Sequence, residues 1–396
     1  MRFTFLSLPR TVVVLGAVSL CNDIASDMLA PLLPLFLTAT LGAGPAVVGL
    51  IEGVAEATAS FLKLVSGRLA DRGWNAKGLV LGGYGLSNGA RPLIGFAVGW
   101  TLVLLLRFLD RVGKGLRTAP RDAMIAASVA PAIRGRAFGF HRALDHGGSV
   151  IGPLVAFALL AAHLPLRDVF FCSAVPGMMV LLLLSFGLPG SAAAPAPTSV
   201  PRFAWRELDR RLKGLILAAA ALALATVPDA FLVLWMQAHG VAVVWVPLLW
   251  ATMHGVKMLS AMPFGMLSDK VARLTVVIGG WSARVVLLMI LAMVGEGLGS
   301  AWALLLVYAA TVASTEGAER ALIGDVAPAD SKATAFGAYY MLSGLCALPG
   351  AVLFGVLWEW VGMSTAFMVA ALLTVLSAAA LVTMAARNKP CGRRHA

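Results

Sequence analysis

The chain has 396 residues, of which 60% are hydrophobic and only 13% are charged, and its mean hydropathy of +0.88 exceeds what a water-facing surface allows. A formal net charge of +12 would suggest a nucleic-acid partner for a soluble protein, but here the basic residues lie mainly between apolar runs, where they set membrane topology. We therefore predict an all-α protein within a lipid bilayer and no nucleic-acid partner.

The first apolar run follows Arg2 and Arg10 as the core of a signal peptide would, but it continues for about a full bilayer span without a convincing cleavage site. We therefore predict that it is retained as the first membrane helix. A hydrocarbon core of ~30 Å needs about 20 apolar helical residues. Runs of that kind predict twelve transmembrane helices, at residues 11–38, 46–67, 77–98, 100–128, 135–162, 168–188, 213–237, 245–267, 273–295, 300–327, 333–358 and 363–385.

The basic residues between these runs are distributed unequally. If both termini lie on one side, that side receives nearly all of them, including the cluster from Arg202 to Lys213, whereas the opposite loops receive only Arg167. The positive-inside rule assigns the basic side to the cytoplasm. We predict a multi-pass protein of the cell inner membrane with both termini in the cytoplasm.

The chain divides in the middle. Residues 191–212 are predicted to form a cytoplasmic linker, in which Ala and Pro give way to a short basic stretch, between six-helix bundles at 1–190 and 213–396. Three short motifs recur after 197 or 198 residues, so we infer an internal parallel repeat, which places a solute site between the halves near the bilayer midplane. The matches are Gly67/Asp71 with Gly265/Asp269, 137–139 with 335–337, and 129–131 with 326–328.

The sequence Gly67-Arg-Leu-Ala-Asp71-Arg72 resembles the signature that follows the second helix of the major facilitator superfamily. The resemblance implies the fold of that family and a secondary transporter that works by alternating access. Glycine lets two helices approach closely, and an aspartate at a helix end can pair with a base or cap a neighbouring helix. We expect a cytoplasmic gate formed by Gly67, Asp71, Arg72, Gly265, Asp269 and Arg273.

Two further motifs lie in the fourth and fifth predicted helices. Arg107-Phe-Leu-Asp110-Arg111-Val-Gly113 partly resembles the R-x-x-q-G-x-G element of the family, and Gly148-Ser-Val-Ile-Gly152-Pro153 resembles the core of its antiporter motif. Small residues four apart, followed by proline, allow a close and bent helix contact that can seal one side of a cavity. The resemblance favours export by antiport, and simple helix packing is the alternative.

Ionisable residues inside the predicted helices cost ~3 kcal/mol each near the bilayer centre, so each needs a partner or a water-filled cavity. Acidic residues share faces of the first and second helices, and basic residues form one stripe on the fourth. We predict a charge network that lines a cavity, although each member could instead be a structural ion pair. The network comprises Asp23, Asp27, Glu52, Glu56 and Lys63 together with Arg107, Asp110, Arg111 and Lys114.

The remaining candidates come from the fifth helix and the second half. Histidine beside a carboxylate near the midplane can change its charge at ordinary pH, as a proton-coupling site requires. The internal repeat places His254 opposite Glu56, and we expect this pair to face the central cavity. The candidates are Arg142, Asp145 and His146 on the fifth helix, Asp229 on the seventh, His254 and Lys257 on the eighth, and Glu316 on the tenth.

We therefore predict a proton-coupled exporter of a small molecule. Import of an anionic small molecule is the alternative, because the basic stripe could bind a carboxylate or a phosphate. A membrane enzyme is disfavoured, since the sequence has no nucleotide-binding loop, zinc-protease motif or nucleophile elbow. The four cysteines lack metal-type spacing. We expect a monomer that binds its substrate and protons without a cofactor or a metal.

Overall fold

The computed structural model of the chain describes residues 8–71, 74–129, 134–188, 209–294, 298–326 and 332–387. These ranges form twelve helical rods, numbered here as spans 1 to 12. In order, the spans are Arg10–Asp27 with Leu33–Leu35 and Phe36–Thr40; Pro45–Asp71; Ala76–Leu93 with Ile94–Phe96; Trp100–Ala127; Arg134–Ala161; Leu166–Cys172 with Ala174–Gly187; Arg210–Ala225 with Asp229–Ala238; Val246–Lys270; Arg273–Met293; Leu298–Val326; Lys332–Trp360; and Met363–Arg387.

The predicted all-α fold of twelve helices is confirmed, and the helix ends agree with the predicted runs to within a few residues. Three spans, however, are interrupted where continuous helices were expected. In span 7 the helix stops after Ala225 and restarts at Asp229. Pro228 lies in this break, and proline both lacks an N–H donor and disfavours helical backbone at the residue before it. Span 1 breaks near Pro31 and Pro34 for the same reason.

Seven helices within the described ranges are long and apolar enough to cross a membrane by length and composition: Pro45–Ala70, Leu144–Ala161, Leu166–Gly187, Arg210–Ala238, Arg273–Met293, Ala338–Trp360 and Met363–Met384. Span 4 does not meet this criterion, because Arg107, Asp110, Arg111 and Lys114 lie within its length. The spans that do not meet it include those with the most ionisable residues. Their charges must therefore face protein or an aqueous gap and not lipid.

Among the described residues, the apolar core that joins the two halves lies toward one end of the bundle. We call the end near Arg10 and Arg387 the inner end and the opposite end the outer end. A hydrophobic cluster at the outer end joins both halves and includes Phe36, Phe231 and Trp235. At the inner end, the described clusters are separate: one lies within spans 1, 3, 4 and 6, and two lie within the second half. Because the described apolar packing between the halves is concentrated at the outer end, we infer a gap between them that opens toward the inner end.

Small residues bring spans 2 and 11 together across this division. A Cβ atom on Gly49 would overlap the carbonyl oxygen of Ala351, and a Cβ atom on Gly355 would overlap that of Pro45. Glycine is needed where two helix backbones approach so closely. Spans 5 and 8 meet at the same end of the bundle, where the rings of Phe157 and Trp245 lie 5.6 Å apart.

A carboxylate also joins the halves at the outer end. Glu359, at the end of span 11, accepts a hydrogen bond of 2.9 Å from the backbone N–H of Ala46. Ala46 lies in the first turn of span 2, where N–H groups have no partner within the helix and the helix dipole attracts negative charge. This contact caps span 2 with a residue of the other half, and it stabilises the closed outer end.

We expect Glu359→Ala to shift molecules toward a state that is open at the outer end. Loss of one charge-assisted hydrogen bond at an exposed position, ~1 kcal/mol, would change the ratio of the two states about fivefold. Pulsed electron resonance between spin labels on Val98→Cys and Val361→Cys, in a background without the native cysteines, measures the distance between the halves at this end. Both labelled positions are exposed.

Asp168→Asn is the matched control, because Asp168 is an outer-end carboxylate in the first turn of span 6. Its distance distribution should equal that of the parent protein. An unchanged distribution in Glu359→Ala would show that the contact does not hold the outer end closed.

Candidate functional site

A single buried carboxylate organises the charges of the first half. Asp110 of span 4 is 1% exposed. Its Oδ1 atom lies 2.9 Å from Nε of Arg91, and its Oδ2 atom lies 3.5 Å from Nη1 of Arg107 and 3.6 Å from Nε of Arg111. Three guanidinium groups thus surround one carboxylate. A buried ion pair is stable only when the remaining donors and acceptors are also satisfied.

Arg91 of span 3 satisfies this condition. Its Nη1 atom donates to the backbone oxygen of Asn22 at 3.2 Å, to Oδ1 of Asn22 at 3.0 Å and to Oδ1 of Asn88 at 3.1 Å. Together with the bond to Asp110, these contacts tie spans 1, 3 and 4 into one unit. Arg91 was not among the predicted site residues, although it too is an ionisable residue inside an apolar run.

Arg107 extends the network toward the gap. Its Nη2 atom lies 3.3 Å from Oε1 of Glu52 on span 2, and the Glu52 side chain is 26% exposed. The expected association between the acids of span 2 and the bases of span 4 is therefore present at this pair. Arg107 lies between a buried carboxylate and one at the edge of the gap.

A second missed residue lies closer to the inner end on span 4. Arg117 is buried, its Nη1 atom donates to Oγ of Ser87 at 2.6 Å, and its guanidinium lies 4.3 Å from the ring centroid of Tyr84. A guanidinium over an aromatic face gains from the ring quadrupole. Arg117 thus fixes span 4 against span 3.

A different environment surrounds Glu56 on span 2. Glu56 is exposed, and its Oε1 atom accepts a hydrogen bond of 3.1 Å from Oγ of Ser60. Its electrostatic neighbours are Lys114, Lys63 and Arg111. No carboxylate oxygen of a described residue lies within 4 Å of Nζ of either lysine. We call Lys63, Arg111 and Lys114, arranged around Glu56, the basic cluster.

Two acidic residues meet where span 1 crosses span 5. The carboxyl groups of Asp23 and Asp145 lie close enough to interact electrostatically. Nδ2 of Asn22 donates to Oδ1 of Asp23 at 2.8 Å, and Oγ of Ser19 donates to Asp145. We call Asp23 and Asp145 the carboxyl pair. Both residues were predicted site residues, but Asp23 was expected to face the bases of span 4 and not Asp145.

The glycines of the span 5 motif make this meeting possible. A Cβ atom on Gly148 would overlap Cβ of Asp23, and a Cβ atom on Gly152 would overlap the backbone of span 1 at Ile24 and Met28. The close helix contact expected from the motif is therefore present. It joins two spans of the same half, and it holds the two carboxyl groups together.

The second half contributes fewer charges to the gap. Oδ2 of Asp229 lies 3.2 Å from Nζ of Lys257, and the Asp229 side chain is 39% exposed. The electrostatic neighbours of His254 are Lys257, Asp229, Asp27 and His146, and the last two belong to the first half. His254 therefore faces the other half across the gap. The structure places it beside span 1 and span 5, whereas Glu56 has neighbours on spans 2 and 4.

Several predicted residues lie outside the described part of the chain. Gly67 faces span 4, where an added Cβ atom would contact Ala119 at 3.5 Å, and Arg273 begins span 9. The cytoplasmic gate stays a prediction. Arg72 lies outside the described residues, as do the side chains of Asp71, Arg142, Asp269 and Glu316 and the surroundings of Gly265.

Comparison with known proteins gives a family and a fold. The sequence profile described as Major Facilitator Superfamily matches residues 15–315. The chain is 29% identical over 386 residues to the uncharacterized MFS-type transporter MJ1317 of Methanocaldococcus jannaschii, covering 93% of this chain and 94% of that protein. It is 26% identical to the multidrug resistance protein MdtH of Aeromonas hydrophila, but only over 182 residues, which cover 45% of this chain and 43% of that protein.

A solved structure shows the same fold. The crystal structure of a bacterial homolog to the human lysosomal transporter Spinster, in an inward-facing and occupied conformation, superposes with a TM-score of 0.77. The superposition covers 95% of this chain and 96% of that chain, with 16% sequence identity. At this identity, the match establishes the arrangement of the helices alone.

We expect Arg91→Gln to lower the melting temperature of the purified protein much more than Arg111→Gln. Arg91 makes four close polar contacts, and removing it leaves Asp110 buried with its nearest partner missing, at a cost of ~3 kcal/mol or more. Arg111 lies farther from Asp110, and Arg91 and Arg107 still pair with that carboxylate in its absence, so its loss should cost less. Thermal unfolding in detergent compares the two variants. Equal losses would contradict the division into a structural and a non-structural arginine.

Proposed function

Because the chain belongs to the Major Facilitator Superfamily, we propose that this secondary transporter of a small solute is a proton-coupled exporter of the cell inner membrane. Membership of this family makes it a transporter and not an enzyme. We assign the inner end of the bundle to the cytoplasm, following the positive-inside distribution of basic residues. The conformation described above is then open to the cytoplasm and closed toward the outside.

The observation that carries the proposal is the carboxyl pair. An ionised carboxylate only accepts hydrogen bonds, so two carboxyl groups that face each other can bond directly only when one of them carries a proton. Two carboxylates in contact also disfavour simultaneous ionisation because their charges repel. We infer that Asp23 and Asp145 share one proton in this conformation. An exporter driven by proton entry delivers a proton to the cytoplasm from its inward-open state, which is the state described here.

Loss of this proton would change how spans 1 and 5 pack. Two like charges about 4 Å apart repel by ~4 kcal/mol at an effective dielectric constant of 20. Spans 1 and 5 are in close contact at Gly148, so repulsion between the two carboxylates would act directly on the packing of these spans. Arg121 lies within electrostatic range of Asp145 and could compensate the new charge. Proton release at the pair is thus linked to a rearrangement of two spans that line the gap.

The export direction has separate support. The motif Gly148-Ser-Val-Ile-Gly152-Pro153 resembles the antiporter element of the family, and a partial relative carries the name multidrug resistance protein. Import of an anionic small molecule remains the second candidate, because the basic cluster faces the gap. The two candidates differ in the direction in which a proton gradient drives the solute.

Transport into everted and right-side-out membrane vesicles separates them. We expect everted vesicles with an acidic interior to accumulate at least one solute from a panel of tetraphenylphosphonium, glucose, citrate and phosphate, beyond vesicles that lack the protein. For one-to-one exchange, a difference of two pH units can drive up to about a hundredfold accumulation. Accumulation in right-side-out vesicles with an acidic exterior would instead establish import and overturn the proposed direction.

In the same everted vesicles, we expect Asp23→Asn and Asp145→Asn to abolish gradient-driven accumulation and to retain exchange of labelled for unlabelled solute. Asparagine preserves the shape of the site but cannot release a proton. Asp168→Asn, which removes a carboxylate at the outer end, should behave as the wild type does. Gradient-driven transport that survives in both pair variants would show that the carboxyl pair does not carry the coupling proton.

A further inference from the structure

The basic cluster contains more positive than negative charge. Lys63 of span 2 and Lys114 of span 4 have no ion-pair partner within 4 Å among the described residues. Glu56 is an electrostatic neighbour of both lysines and of Arg111. Two lysines without an ion-pair partner, and Arg111, which shares Asp110 with two other arginines, therefore surround Glu56, and positive charge is in excess there.

Arg111 cannot obtain that charge from its closest acid. Its Nε atom makes no hydrogen bond within the described part of the chain and lies 3.6 Å from Oδ2 of Asp110. The same carboxylate is bonded by Arg91 at 2.9 Å and contacted by Arg107 at 3.5 Å. Glu52, the next acid, is paired with Arg107 at 3.3 Å. The guanidinium of Arg111 thus keeps donors for a ligand.

The cluster lies deep in the membrane and borders the gap. Glu56 and Arg111 each lie eleven residues from the outer ends of their spans, at Pro45 and Trp100, which corresponds to about 16 Å at 1.5 Å per residue. This depth is close to the middle of a bilayer core of ~30 Å. Glu56 is exposed. A solute that enters from the inner end can therefore reach the cluster.

Charge and geometry together select the class of solute. A cation would have to approach Glu56 past three positive groups, whereas an oxyanion would supply the missing charge. A guanidinium presents parallel donors that match a carboxylate or a phosphate, and lysine ammonium groups add point charges beside them. We propose that the solute carries a carboxylate or phosphate group, and that Lys63, Arg111 and Lys114 bind this group. The inference rests on the proposed transport function and names the substrate class of that site.

Equilibrium binding to the purified full-length protein tests this inference. Melting temperature is measured against increasing citrate and inorganic phosphate, with sodium chloride at matched ionic strength and tetraphenylphosphonium as comparisons. We expect a saturable rise in melting temperature with citrate, phosphate or both. The anion that produces the rise shows whether the site prefers a carboxylate or a phosphate group. Lys63→Gln and Lys114→Gln should each raise the ligand concentration needed for the half-maximal rise in melting temperature at least tenfold. Lys114→Arg should respond as the wild type does.

Arg211→Gln is the control for charge, because Arg211 is an exposed residue at the inner end of span 7 and its loss should leave the response unchanged. Three results would overturn the proposal: no oxyanion response in the wild type, an equal response to chloride, or a response that both lysine variants retain. Should Lys114→Gln fail to fold, Lys63→Gln and Lys114→Arg still decide the outcome. The measurement needs no proton gradient, so the coupling role of the carboxyl pair and this anion site can fail independently.

Discussion

A charge in the middle of a bilayer costs ~3 kcal/mol unless protein or water compensates it, and this constraint explains most of the arrangement described here. The first half places at least six acidic and seven basic side chains inside its spans, at Asp23, Asp27, Glu52, Glu56, Asp110 and Asp145 and at Lys63, Arg91, Arg107, Arg111, Lys114, Arg117 and Arg121. None of them can face lipid at low cost. Spans 1, 2, 4 and 5 must therefore surround an interior that is polar, and the two halves must leave a gap between them.

The charges inside the first half are compensated in two ways. Arg91 and Asp110 are buried and fully partnered, so they fix spans 1, 3 and 4 relative to one another. The carboxyl pair and the basic cluster are compensated only in part: the first needs a proton, and the second needs an anion. In the proposed transport cycle these two needs are met by the coupling ion and by the solute. The outer end, closed by apolar packing and by Glu359, directs both sites toward the inner end.

The sequence predicts the fold better than the contacts of the site. Length and apolarity place the spans because a bilayer imposes both, and helical spacing shows that Asp23 and Asp27 share a face. Spacing within one helix cannot show which neighbouring helix that face meets. Asp23 meets Asp145 because Gly148 allows spans 1 and 5 to touch, and this depends on tertiary packing. Pro228 could have predicted the break in span 7, and the position of Arg91 inside an apolar run could have selected it. The contacts of Arg91 with Asn22 and Asn88 could not be predicted from a single amino-acid sequence, because they depend on how spans 1 and 3 pack.

The central claim is that Asp23 and Asp145 hold one proton between them in the conformation open to the inner end. Infrared spectroscopy of the purified protein measures this directly, because a protonated carboxyl group has a C=O stretching band that a carboxylate lacks and that shifts in heavy water. At neutral pH the wild type should show such a band, and both Asp23→Asn and Asp145→Asn should lose it, since each leaves a single carboxylate that can ionise. A wild-type spectrum without the band, or a band that persists in both variants, would contradict the account.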